Sequence, residues 1–186
     1  MLHSLSRSLR LWTPLTAFVL IVGCADEDDS VTIDGPDYPT GPGVLYNIES
    51  VTFNTIDDVS VSASYGRLPG AGSEAVVILV HEVGIALAHQ EWLVSGLFEA
   101  LLEGGYNVLA LDLRGHGGSS LPADGRTQDV LLVTDLEDMH LEVRAAVTWL
   151  RTQQSADNAR IAVIGNGIGG NIAYVSMGAF PEDLQA

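Results

Sequence analysis

The sequence has no lysine and only one cysteine, and its positive charge rests on eight arginines set against 24 acidic residues. The formal net charge is −16, and no basic run occurs anywhere. Such a chain has no surface with which to neutralise phosphates, so nucleic acid and anionic lipid surfaces are excluded as electrostatic partners. A single cysteine, Cys24, makes neither an internal disulfide framework nor a cysteine-built zinc site. A helical zinc motif is missing too: after His81 and Glu82 the position that would need a second histidine is Ile85. The acidic stretch Asp26-Glu27-Asp28-Asp29 lacks the alternating aspartates and glycine of a calcium loop. No metal and no cofactor is expected, and no internal repeat is present. What remains is 47% hydrophobic and 17% charged, the balance of a globular chain, and 186 residues is the length of one domain.

The first 23 residues carry Arg7 and Arg10, then the apolar run 11–22, and no acid. This is the layout of a secretory leader, and the run is short for a membrane span, which takes about 20 apolar residues. Its end, Ile21-Val22-Gly23-Cys24, resembles the lipobox of bacterial lipoproteins. The resemblance implies cleavage before Cys24 and lipidation of that cysteine. It also implies export across the inner membrane, with the product anchored on a periplasmic or cell-surface face. Loss of the leader removes two arginines and no acid, taking the charge from −16 to −18. Residues 24–46, acidic and rich in Pro and Gly without periodicity, read as a tether. Residues 47–186 read as the folded part, of unknown oligomeric state.

Within it, Val51, Phe53 and Ile56, then Val59, Val61 and Ala63, alternate with polar residues about Asp57-Asp58. The pattern predicts an antiparallel hairpin with one wet face. Residues 75–80 are an unbroken apolar run, and 108–112 and 160–164 are apolar apart from the terminal Asp112 and Arg160, as expected of strands covered on both faces. Between them, Leu93, Leu97, Leu101 and Leu102 predict a helix over 90–103 stopped by Gly104-Gly105. Thr134 and Glu137 have the spacing of a capping box. They open a predicted helix with Leu136, Met139, Val143, Ala146, Val147 and Leu150 on one face. A last helix is predicted over 168–177. The alternation argues an α/β fold, a mostly parallel sheet with helices on both faces.

Three segments fall at the carboxyl ends of the buried-type strands, where such sheets place function. They are His81-Glu82-Val83-Gly84, the loop from Asp112 through Arg114, Gly115, His116, Gly117 and Gly118 to Ser119, and Gly165-Asn166-Gly167-Ile168-Gly169-Gly170. In this order they resemble the α/β-hydrolase superfamily, and His81-Glu82 is similar to its dienelactone-hydrolase branch. The resemblance covers about residues 48–186 and implies the N-terminal part of that fold, truncated after the helix that follows the nucleophile elbow. It implies acyl hydrolysis of a small-molecule ester or amide through a covalent serine intermediate, at least in full-length relatives. The backbone N–H groups of Val83 and Ile168 would then form the oxyanion hole. His81, Glu82, Asp112, Arg114 and His116 would support the motifs.

The departure lies at the elbow itself. The Gly-x-Ser-x-Gly turn exists to present one Oγ, and here its central residue is Gly167, which has no side chain. No histidine follows it in the sequence. The chain is therefore expected to be catalytically incompetent, the front part of a longer hydrolase or an aggregation-prone relic. In the latter case Ile161–Ile164 would be an unprotected sheet edge. His81 is either a turn-shaping residue or a site residue. Arg114 and His116 read as loop-stabilising, His89 and His140 as helix-surface histidines, and Ser119 and Ser120 as surface serines. Two alternatives stay open. Gly165, Gly167 and Gly170 have the spacing of a dinucleotide-binding turn, although no second strand with its acid follows. The other is a non-catalytic binding lipoprotein.

Overall fold

A computed structural model describes residues 46–67, 73–124 and 131–184. The leader, Cys24 and nearly all of the tether lie outside these residues, so the lipobox and domain boundaries are not addressed by it.

Five strands form one sheet in the order β1-β2-β4-β3-β5. β1 (Asn47–Asn54) and β2 (Ser60–Arg67) are the predicted hairpin, antiparallel, with Asn54 opposite Ser60. The turn sits at Asp57-Asp58, where Asp58 takes a positive φ of 62°. Two expectations change here. Ile56 is 82% exposed in the turn rather than facing the core. β2 is an interior strand, pairing with β4 (Asn107–Leu111) on its other side, and it has no wet face, because Val61, Ala63 and Tyr65 enter the core on one face while Ser64 meets His89 and Gly66 lies against Phe98 on the other.

β3 (Glu74–Val80) lies between β4 and β5 (Ala156–Gly165) and is parallel to both. Its unbroken apolar run serves two cores at once. Val76, Ile78 and Val80 belong to one buried cluster, and Val77 and Leu79 to the other. The first cluster is closed by α4 (His140–Leu150) and α5 (Ile168–Ala179), through Val143, Val147, Leu150 and Ile172. The second is closed by α1 (Gln90–Val94) and α2 (Leu97–Glu103), through Trp92, Phe98 and Leu102. Residues of period two on a strand thus meet helices on both faces, which is why alternation in polarity disappears from the sequence.

The helices differ from expectation at their ends. The stretch 90–103 is two helices, divided at Gly96, whose φ of 77° no right-handed helix tolerates. The helix expected to start at Thr134 begins earlier, as α3 (Val133–Asp138), and is separated from α4 at Met139. Only half of a capping box forms, and from Asp135, whose carboxylate accepts the Leu132 N–H at 2.7 Å while the Leu132 side chain has nothing with which to accept in return, so Thr134 and Glu137 do not form the box. The acid that reaches back to the helix start is thus two residues earlier than the sequence spacing predicted. β5 also begins four residues before the expected 160. Its added part carries the Asp157–Arg160 ion pair (2.6 Å) and a register irregularity against β3. The edge expected to be wholly bare is therefore blunted over its first half by charge and by an irregular register.

Candidate active site

The carboxyl ends of β3, β4 and β5 bring the three sequence segments together. α5 starts directly after β5, and Gly165 and Gly169 make that possible. A Cβ on Gly165 would overlap the backbone of Gly169, and one on Gly169 would overlap the Val80 carbonyl. Strand and helix touch backbone to backbone at this turn. Gly167 stands at its apex as the residue before α5, with φ 53° and ψ −120°, a conformation that L side chains rarely adopt.

The volume beside Gly167 is filled. The Glu82 side chain reaches across from the end of β3, and its Oε2 lies where a Cβ on Gly167 would be. Each carboxylate oxygen takes one amide. Oε1 accepts the N–H of Val83 at 2.9 Å, and Oε2 accepts the N–H of Ile168 at 3.0 Å. The two backbone donors singled out from the sequence do converge, and what they converge on is a side chain of the same chain. Ile168 is the first residue of α5, so its N–H is one of the helix's unpaired donors, and a carboxylate there is favoured by the helix dipole.

His81 is a structural residue. It is fully buried, its Nε2 accepts the N–H of Leu113 at 3.0 Å, and its Nδ1 donates to the Glu82 carbonyl at 2.6 Å. Burial lowers its pKa below the ordinary histidine value, with the neighbouring His116 pushing the same way. His116 packs edge-on at 5.1 Å, accepts the Gly84 N–H on Nε2 and donates from Nδ1 to the Arg114 carbonyl. The two histidines lock the β3 and β4 loops together, each ring with one nitrogen accepting and one donating.

Arg114 is likewise buried, with Glu142 on α4 at 2.6 Å and Asp57 of the hairpin turn at 2.9 Å. Burial works against its charge, but the two carboxylates outweigh that and hold its pKa above the usual range.

Asp112 is the hub of the middle loop. Oδ2 accepts the Gly118 N–H at 2.8 Å, while Oδ1 accepts the His89 backbone N–H at 2.9 Å and faces His89 Nδ1 at 2.6 Å. Burial opposes its ionisation, yet the His89 ring and the two amides together bring its pKa below the ordinary aspartate value. His89 is thus not a helix-surface residue: its side chain is 15% exposed and its Nε2 meets Ser64 Oγ at 3.0 Å. Ser64, His89 and Asp112 stand in the order of a relay triad. Ser64, however, is 8% exposed on interior strand β2, paired with β1 on one side and β4 on the other. Its neighbouring amides are committed to those ladders and none is free to receive an oxyanion. The trio is a tie between the sheet and the loop before α1. Ser119 and Ser120 do similar work, accepting the N–H groups of Ser62 and Ser60.

A cleft that sequence reasoning missed lies beside the turn, about 550 Å³ in volume and lined by Trp92, Leu97 and Ile164 with Glu91, Gly165 and Asn166. Asn166 Nδ2 donates to Glu91 at 3.4 Å, and burial followed by nearby Glu82 acts to raise the Glu91 pKa. Among the described residues no cluster of His, Cys, Asp and Glu could hold a metal.

The profile of the Alpha/beta hydrolase family matches residues 77–182. An esterase of Pyrococcus furiosus, Pf2001, superposes with a TM-score of 0.60 at 27% identity, over 75% of this chain and 47% of its own. DcsB, solved with a substrate analogue, gives a TM-score of 0.62 at 18% identity, covering 75% and 43%. An epoxide hydrolase of Vigna radiata gives 0.55 at 18%, covering 75% and 37%. The chain spans less than half the length of each of these structures. No curated protein matches the sequence.

Proposed function

Because the chain belongs to the α/β-hydrolase family, we propose that it is a relative of the ester- and amide-cleaving hydrolases that does not perform covalent acyl transfer itself. One observation carries this reading. The apex of the turn is Gly167, and the space and the two amides that would serve a nucleophile and an oxyanion are taken by Glu82. Covalent acyl transfer needs an Oγ or Sγ at that apex and a neighbouring base. His81, His89 and His116 have both ring nitrogens engaged elsewhere, so none of them is available as that base.

The substrate class of active, full-length relatives would be a small-molecule ester or amide, and the resemblance to an esterase at 27% identity supports it. The cleft at Trp92 and Ile164 supports a non-catalytic binding role for this chain. Dinucleotide binding at Gly165, Gly167 and Gly170 is disfavoured, since a pyrophosphate would meet the Glu82 carboxylate already seated at the start of α5. In the cell the protein would be exported and anchored through a lipidated Cys24. Incorporation of labelled fatty acid, lost in Cys24→Ala, checks that part.

The test of the main reading treats the full chain with a fluorophosphonate serine probe and, separately, with a p-nitrophenyl ester. Neither labelling nor turnover above buffer is expected. A labelled serine, or hydrolysis that survives purification, overturns it.

A further inference from the structure

Glu82 and Gly167 form a single unit. The carboxylate occupies the volume that any side chain at 167 would need, and its two oxygens take the amides of Val83 and Ile168 one each. A side chain at 167 and this pose of Glu82 exclude one another. An ionised acceptor binds amide donors more strongly than a neutral carbonyl does. A neutral ester oxygen would therefore compete poorly for these two amides against a carboxylate tethered one residue away.

We propose that Glu82 is an internal carboxylate cap, which keeps the two-amide cradle closed to substrate oxygen. When the cap is withdrawn, the ligand the cradle takes is a small monocarboxylate of the same shape and charge. The proposal rests on the reading of the Gly167 turn given above, and it adds the occupant and the class of ligand. Two features beyond the helix start point to an anion here. Val83 is not part of α5, so the cradle joins donors from two separate segments. Its present occupant is itself a carboxylate.

Amide hydrogen exchange resolved to Val83 and Ile168 tests this on the full chain, in chloride and in acetate at equal ionic strength. A hydrogen bond to a charged acceptor corresponds to roughly ten- to hundredfold protection. Glu82→Ala is expected to lose protection of that order at both amides. Acetate, and not chloride, should restore it, while leaving the unsubstituted chain unchanged. Unaltered exchange at the two amides in Glu82→Ala overturns the cap. Acetate acting no better than chloride overturns the ligand class.

If Glu82→Ala loosens the whole fold, the isosteric Glu82→Gln decides. Its single carbonyl oxygen should keep one amide protected and release the other, and full protection at both would overturn the proposal. Ester turnover by the unsubstituted chain would overturn the functional reading and leave the exchange result standing, so the two failures are distinguishable.

Discussion

At the scale of single residues, the Gly167 turn is held by what that residue lacks. Gly167→Ala places a Cβ on the Glu82 carboxylate and forces a positive φ on a residue that resists it. The backbone strain alone costs about 1–3 kcal/mol. Eviction of Glu82 adds to it, and in a Glu82→Ala background that added part should vanish. Urea unfolding of the two single variants and the double variant is expected to show coupling on the order of 1 kcal/mol; strict additivity would mean the two residues do not meet.

His81 gives a second residue-scale prediction. Its pKa is lowered from 6.5 by burial, so as the pH falls the unfolded chain takes the proton first. Stability is then complete above the ordinary histidine value and declines below it, toward the depressed folded value. Asp112, held below 3.8, adds a further loss in strong acid. Thermal midpoints recorded from pH 8 to pH 4 should be level at first and drop from about pH 6.5 downward, and His81→Gln should flatten the first part of that drop.

That position 167 carries no side chain was plain in the sequence, since it is a property of one position. The folding of Glu82 onto Ile168, 86 residues away, was not, because the loop that packs against a side chain decides its rotamer. The same holds for His89, which only β2 and β4 together turn from a helix-start histidine into the partner of Asp112 and Ser64.

At the scale of elements, the hairpin turn, the β4 loop and α4 meet on one guanidinium. Arg114 is 0% exposed, as is its partner Glu142, while Asp57 is 31% exposed. Glu142→Leu leaves a buried cation short of its closest carboxylate and is expected to cost about 3–5 kcal/mol. Asp57→Asn, at the half-open end, should cost much less, because solvent replaces part of what is lost. Equal losses in chemical denaturation would refute this ranking.

Elements were legible where periodicity speaks and less so where single contacts do. The runs at β3 and β4 identified strands between two helix layers, since each must feed two cores. The break at Gly96 and the displaced cap at Leu132 and Asp135 depend on one dihedral and one hydrogen bond, and leucine spacing continues straight across such points.

For the whole molecule, two surfaces stand open together among the described residues. β5 is an edge strand, charged at Asp157 and Arg160 but apolar over Ile161–Ile164. On α5 next to it, Tyr174 is 74%, Val175 49% and Ile168 37% exposed. An edge with unpaired backbone groups beside exposed apolar side chains favours self-association through strand pairing and hydrophobic contact. The formal charge of −16 opposes it, since every copy repels every other.

These two terms respond to salt in opposite ways. Screening shortens the range of the repulsion, to about 8 Å at physiological ionic strength, and leaves the apolar attraction intact. Self-association followed by light scattering should therefore rise as sodium chloride is added. Val175→Glu, which puts a charge into the apolar face and adds to the repulsion, should lower it at every salt concentration. Association that instead melts away with salt would assign the contact to ion pairs, and a chain that stays monomeric throughout would mean that β5 and α5 do not act as an adhesive edge.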